Sequence, residues 1–185
     1  VLQDYVNKKA QQLLNNKKQI GDGIFVLSQQ EYDSLSFNEN EKSLVKPYYT
    51  SKLINRYSVC KKNSEWIIYT DSSTNDSISL YPNIQKHLDQ FSKVITSVNK
   101  PYGLHRARKK ESFEGEKILA LRKCVNRPAF SYVNFDSFVS RAYLIIRTNR
   151  VNQKYLTGLL NSTLIKYWLK YKGKMQGANF QIDKE

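Results

Sequence analysis

The chain has 185 residues, 40% hydrophobic and 12% aromatic, with only 7 Gly and 4 Pro, which excludes a disordered tail and leaves room for a folded core. The formal net charge is +14, from 30 Lys and Arg against 16 Asp and Glu, a balance that fits either a solubility charge or neutralisation of nucleic-acid phosphates. Cys60 and Cys124 have no CxxC partner, which excludes a disulfide framework and a zinc site and fits a reducing, cytoplasmic setting; no apolar run reaches the ~18–20 residues that span a membrane, and no signal peptide is visible.

In chain order, Val6, Ala10, Leu13 and Leu14 recur at helical spacing and predict an amphipathic helix before Lys17. Asp22-Gly23 signals a turn and residues 24–27 a buried strand. Ser28 and Glu31 match a capping box that opens a short helix through about Leu35. Residues 38–45 read as a second short helix, ended by Pro47. Residues 66–69 read as a strand and 71–79 as a polar loop. Ile84, Leu88, Phe91, Ile95 and Val98 predict one long helix entered through Tyr81-Pro82.

Residues 100–127 form a long basic stretch with one strand at 118–121; strands at 132–135 and 142–147 follow. Leu156, Leu159, Leu160, Thr163, Leu164, Tyr167 and Trp168 predict a single final helix closed near Gly173, with its Leu/Tyr/Trp stripe facing the core. There is no βαβ alternation and no repeat of fixed period, so the expected class is α+β, with mixed sheets and peripheral helices.

Catalytic signatures are missing. The chain has no Gly-x-Gly-x-x-Gly, no Walker loop, no Gly-x-Ser-x-Gly elbow and no Asn/Asp-Pro-Pro-aromatic methylation motif. Glu111, Glu114, Glu116 and Lys117 are close in sequence, but not at the Asp…Glu-x-Lys spacing of a metal-dependent nuclease. No catalytic or metal-ligating residue is therefore assigned. His87, on a helix flank, is expected to be structural.

The basic residues are the contact candidates. Between Val139 and Lys174 there is no Asp or Glu, while Arg141, Arg147, Arg150, Lys154, Lys166, Lys170, Lys172 and Lys174 fall there. His105, Arg106, Arg108, Lys109 and Lys110 follow Pro101-Tyr102-Gly103. Arginine forks suit guanine O6 and N7, and lysines suit phosphate; a solvated charged loop is the alternative. Arg122, Lys123 and Arg127 extend that patch, and Lys170, Lys172 and Lys174 look like a phosphate-clamping helix end.

Three segments taken in order carry a family resemblance. Lys46-Pro47 followed by Ile54-Asn55-Arg56-Tyr57 resembles the K-P-x-x-x-G-x-D-I-x-R-Y signature of TaqI-like specificity domains. Tyr81-Pro82-Asn83-Ile84-Gln85-Lys86-His87-Leu88 resembles the Y-P-x-I-x-x-H-L helix that follows it. Leu159-Leu160-Asn161-Ser162, with Gly173 and Gly177 downstream, resembles the L-L-N-S…G element shared with type I specificity subunits. Ser51 stands where the first signature usually has Gly, and Asn-rich sequence replaces its Asp.

The resemblance implies a target-recognition domain over 23–185 with a DNA-methylase specificity-domain-like fold, preceded by a connector over 1–22 from a larger parent enzyme. A chain that starts without Met and ends on Asp183-Lys184-Glu185 fits such an excised domain. The domain is expected to be non-catalytic and to bind double-stranded DNA opposite the methyltransferase domain of the parent chain, which flips the target adenine. Lys52 and Arg56, in the first signature, join the expected DNA contacts. The implied parent is a gamma-class N6-adenine DNA methyltransferase, with or without a fused endonuclease. It would use S-adenosylmethionine and Mg²⁺, with no cofactor in this chain. The alternatives are the recognition half of a type I specificity subunit and, disfavoured by the missing motifs, a nuclease, a complete methyltransferase or an RNA-binding module.

Overall fold

Strands and helices alternate irregularly along the chain, and the class is α+β. The structure, a computed structural model, describes residues 4–96, 98–105 and 107–182. The elements run α1 (Lys8–Leu13), β1 (Val26–Ser28), α2 (Gln29–Ser34), α3 (Glu39–Lys42), β2 (Val45–Tyr49), β3 (Tyr57–Ser58), β4 (Glu65–Ile68), α4 (Ser72–Asp76) and α5 (Pro82–Asp89). They continue with β5 (Lys117–Leu121), β6 (Lys123–Val125), β7 (Phe130–Val133), β8 (Phe138–Val139), β9 (Tyr143–Ile146), α6 (Gln153–Leu160), α7 (Thr163–Lys172), β10 (Lys174–Gln176) and β11 (Asn179–Gln181). The chain forms two compact units: residues 1–48 with 64–108, and residues 49–63 with 109–185.

In the first unit, β4 pairs antiparallel with β1 on one side and β2 on the other, with Trp66 opposite Leu27 and Pro47. Pro47 therefore sits inside a strand rather than ending a helix. The core gathers Ile24, Phe25, Leu27, Ile68, Ile84, Leu88 and Phe91, and α1 with its flanking residues adds Val6, Ala10 and Leu14 to it. Both short helices after β1 start on capping boxes. Ser28 Oγ accepts from the Glu31 amide at 3.3 Å while Glu31 accepts from the Ser28 amide at 2.8 Å. Asn38 and Glu41 make the same reciprocal pair at 2.9 Å each way.

Glu41 does a second job. Its buried carboxylate also accepts from the Asn83 amide at 2.6 Å, the Asn83 side chain at 2.8 Å and the Ile84 amide at 3.3 Å. These are first-turn donors of α5, which lack helical partners. A negative charge at that helix end is favoured by the aligned peptide dipoles. Burial alone would raise the Glu41 pKa, but the donors from Asn83, Asn38 and Ile84 outweigh it and hold the carboxyl below its ordinary value.

Two sequence expectations differ here. The polar stretch 71–79 holds a helix, α4, because Asp71 Oδ1 accepts from the Ser73 amide at 3.0 Å and caps it. The long helix predicted from Ile84 to Val98 ends at Asp89. Beyond it, Phe91 N donates to Leu88 O and Val94 N to Phe91 O, which are tight i to i−3 turns. Such turns keep the 3–4 spacing, so Phe91 and Ile95 still face the core. Val98 is 82% exposed.

In the second unit, one sheet has the order β3-β7-β5-β9, with β3 parallel to β7 and the other pairs antiparallel. Ile118, Ala120 and Phe130 form its core, covered by Leu144, Ile146, Leu156, Leu160 and Ile182. The other sheet has the antiparallel order β10-β11-β6. Strand β6 was not expected, and β7 starts two residues earlier than predicted. Gly173 closes α7, where a Cβ would stand 2.5 Å from the Leu169 carbonyl oxygen. Gly177, at φ +62°, makes the turn between β10 and β11.

The predicted final helix is broken into α6 and α7 at Asn161-Ser162. Ser162 is extended, with ψ 161°, and its hydroxyl accepts from the Ile165 amide at 3.2 Å as the cap of α7. The stripe expected in the core divides at this break: Leu156 and Leu160 pack on the core, while Leu164, Tyr167 and Trp168 are 69%, 63% and 55% exposed, and Tyr171 beyond them is 61% exposed.

Candidate nucleic-acid interface

The fold sorts the charges. Residues 49–63 and 109–185 carry 19 Lys and Arg against 6 Asp and Glu, a net +13; the other unit carries 11 against 10, a net +1. Almost the whole excess of the chain thus belongs to the second unit. Within it, the described acids are Glu111, Glu114, Glu116 and Asp136. They gather at the start of β5, where the Gly115 amide donates to Asp136 at 2.8 Å. Lys117 is buried there and donates to the Gly115 and Phe135 carbonyls at 2.8 and 2.7 Å. Burial pulls its pKa down to about 8. The rest of this unit's described surface, from residue 137 to 182, holds no carboxylate side chain.

The far end of β5, roughly 13 Å away at 3.3 Å per residue, is cationic. Arg122 joins β5 to β6 and is the point where the two sheets meet. Its amide donates to Ala142 O at 2.9 Å, and its carbonyl accepts from Ile182 N at 2.8 Å. A cleft of about 320 Å³ opens at this junction, lined by Leu121, Arg122, Lys123, Arg141, Ala142 and Gln181.

The strand register extends this surface. Lys123 lies opposite Gln181, and Gln181 lies opposite Lys174. Directly opposed residues share a sheet face, so Lys123, Gln181 and Lys174 form one row, with the two lysines about 9.5 Å apart at two strand spacings. The alternate row, Cys124, Phe180 and Met175, includes the buried Cys124 and Phe180 that anchor the sheet. Burial pushes the Cys124 thiol up, away from a reactive thiolate. Among the described residues, Lys123, Arg127, Arg141, Lys170 and Lys172 form no ion pair. Cations without carboxylate partners can bind anionic oxygens.

The register brings one residue from each of two patches expected from sequence, Lys123 and Lys174, onto one sheet. The structure adds Arg141, which sequence reasoning left out of the contact set. Its signal was present in the acid-free run, but only pairing between β5 and β9 brings it to Arg122. Lys109 and Lys110 belong to the same unit but sit by the 3-10 turn Lys110–Phe113 that leads to the acidic end of β5. His105 and Arg108 belong to the first unit, both half-buried, and the Arg108 carbonyl accepts from Tyr69 Oη. Arg106 lies outside the described residues. Lys52 is exposed in a turn.

Arg56, expected at the DNA, is turned inward. Its Nη2 donates to the Asn161 carbonyl and its Nε to Asn161 Oδ1 at 3.3 Å. The guanidinium also lies 4.7 Å from the Tyr57 ring centre. Asn161 is 3% exposed. Its side chain accepts from Phe130 N at 3.1 Å and donates to Phe130 O at 2.7 Å and Thr157 O at 2.9 Å. The amide thus acts as a one-residue strand alongside β7. The Leu-Leu-Asn-Ser element reads out as a joint: Leu160 packs on the core, Asn161 pins β7 and Arg56, and Ser162 starts α7.

His87 is buried, as expected of a structural residue. Its Nε2 meets the Ile24 carbonyl at 2.9 Å, and burial pulls its pKa below the ordinary value. Among the described residues, no three His, Cys, Asp or Glu side chains group to hold a metal ion. No helix among them is long and apolar enough to cross a membrane.

One solved structure similar in fold is that of the type IIL restriction-modification enzyme MmeI in complex with DNA, at a TM-score of 0.60 and 16% identity. The match covers 88% of this chain and 22% of that one. No curated protein sequence matches. Residues 46–184 match the TaqI-like C-terminal specificity domain, within which fall the Ile-Asn-Arg-Tyr and Leu-Leu-Asn-Ser segments joined through Arg56 and Asn161, and the chain belongs to that family.

Proposed function

We propose that the protein reads a sequence in double-stranded DNA as the target-recognition part of a restriction–modification enzyme, gripping phosphates with the cationic face of its second unit. The observation that carries this is the charge partition, net +13 on one unit and +1 on the other. Arg122, Lys123, Arg127, Arg141 and Lys174, with Lys170 and Lys172 at the end of α7, form the phosphate-binding set. Family membership and the fold shared with MmeI, solved with DNA, support the reading.

Arginine forks differ from lysine point charges in what they can read. We assign base-edge contacts to Arg122 and Arg141, at the cleft, and to Arg106 and Arg108. Arg56 acts through Asn161 as a positioning residue. Methyl transfer to adenine N6, and any cleavage, belong to other parts of the parent enzyme, where S-adenosylmethionine and Mg²⁺ act. The residues of this chain bind and orient the duplex.

The test is selection from a randomised duplex library with the 185-residue chain. Enrichment of one short motif, relaxed at one position by Arg141→Ala, is expected. Recovery of unenriched library at every round refutes sequence reading, and retention of RNA over duplex DNA refutes the partner class.

A further inference from the structure

Helix α7 carries two apolar faces, and only one of them is used by the fold. Ile165 and Leu169 are half-buried. Leu164, Tyr167, Trp168 and Tyr171 stand at i, i+3, i+4 and i+7 and are all more than half exposed. That spacing makes one continuous stripe along the helix. Tyr167 and Tyr171 pack ring to ring at 4.6 Å. With three aromatics and a leucine exposed to this degree, the stripe presents roughly 400 Å² of apolar surface. Patches of that size on a soluble protein mark a contact surface.

The margins of the stripe say what fits it. At 100° per residue, Lys170 lies about 60° beyond Tyr167 on one side, and Lys172 about 40° beyond Trp168 on the other. Both are exposed, and Lys170 Nζ sits 5.5 Å from the Tyr171 ring centre. No acidic residue lies on α7 or between it and residue 182. An apolar seam bordered on both sides by lysine is the pattern of a helix that pairs with another helix. The complementary helix carries Asp or Glu at its own margins. A second copy of this chain would oppose lysine to lysine. A DNA groove would meet Leu164 and Trp168 at its centre, and their single polar group, the Trp168 Nε1–H, leaves most donors and acceptors of the base edges without a partner.

We infer that the outer face of α7 is a docking surface for an amphipathic helix of a neighbouring protein domain, one whose apolar seam is flanked by carboxylates. The surface is separate from the phosphate-binding set except at Lys170 and Lys172, which border both. Docking there would fix the position of the cationic sheet that follows α7 directly through Gly173 and Lys174.

The experiment uses the 185-residue chain and two synthetic 21-residue amphipathic helical peptides. Both have a Leu/Ile seam; one has Glu at the flanking positions and the other Lys. Tryptophan emission is followed in Trp66→Phe protein, so that Trp168 reports. The Glu-flanked peptide is expected to shift Trp168 emission to shorter wavelength and to bind at least tenfold more tightly than the Lys-flanked one. Tyr167→Ser with Trp168→Ser, followed by peptide fluorescence anisotropy, is expected to weaken it at least tenfold while the thermal midpoint stays unchanged. Equal binding of the two peptides, or none, overturns the inference. So does a tenfold loss of duplex DNA affinity in the Tyr167/Trp168 variant, which would give the face to DNA, or a dimer in sedimentation that the same variant abolishes.

Discussion

Replacing Asn161 by Ala removes a side chain that makes four hydrogen bonds in a buried site. Two of them satisfy the amide and carbonyl of Phe130, at 3.1 and 2.7 Å. Left without partners, each of those backbone groups costs about 1–3 kcal/mol. The lost bonds to Thr157 O and Arg56 matter less, because the Asn161 amide still donates to Thr157 O and Arg56 Nη2 still has the Asn161 carbonyl. Relaxation and water entry recover part of the loss, so the expected cost is about 3 kcal/mol.

For the 185-residue chain unfolding as a whole that corresponds to a fall of roughly 6–12 °C in Tm. Arg56→Met removes the other half of the contact and is expected to cost about 1–2 kcal/mol. The double variant should cost less than the sum, by about 1 kcal/mol, because the two residues share one network. Urea unfolding monitored by far-UV circular dichroism measures all three. A loss below 1 kcal/mol for Asn161→Ala, or strict additivity in the cycle, would refute the joint. An Arg56→Met protein of unchanged stability but weakened DNA binding would return Arg56 to the DNA surface.

Glu41→Gln keeps the shape of the side chain but removes the charge at the start of α5 and one acceptor from the Asn83 and Asn38 donors; a loss of about 1–3 kcal/mol is expected in the same unfolding assay. His87 is held neutral in the fold, while the unfolded chain takes up its proton near the ordinary value of about 6.5. Its stabilising contribution is therefore complete above that pH and lost as the pH falls towards 5. Unfolding midpoints at pH 7 and 5 should differ less in His87→Gln than in the parent chain, and an equal difference would exclude His87 as the cause. Glu41 acts in the same direction at lower pH, since its lowered pKa gives stability that is lost as the pH falls below the ordinary glutamate value of about 4.5.

How much was legible beforehand follows from the range of each interaction. The Ser28/Glu31 capping box was readable because its chemistry closes within three residues. The apolar stripe of α7 was readable as a stripe, but periodicity shows that a face exists and not what covers it; Ile165 and Leu169, on the other side, take the inner position. The break at Asn161-Ser162 was missed because the apolar spacing runs through it, while the interruption comes from Asn161 bonding to Phe130, 31 residues away. Arg56 and Asn161 were each picked out by their motifs, yet 105 residues separate them, and no local pattern announces that they touch. The charge partition was hidden for the same reason: the second unit draws in residues 49–63 and leaves out 64–108. The acid-free run was visible, but the cleft around Arg122 needs the pairings of β5 with β9 and of β6 with β11.

The dependence of duplex affinity on salt tests most directly whether the second unit grips DNA phosphates. Anisotropy titrations of a 25-base-pair duplex from about 50 to 300 mM NaCl give the slope of log K against log salt, which reports the phosphates neutralised. With about five to seven cations engaged, the slope is expected between roughly −4 and −6. Changing Lys123, Arg141 and Lys174 together to Gln should make it shallower by about 3, while changing Lys8, Lys9 and Lys86 to Gln on the first unit should leave it in place. A flat salt response, or a slope that falls with the first-unit changes and not with those at Lys123, Arg141 and Lys174, would contradict the account.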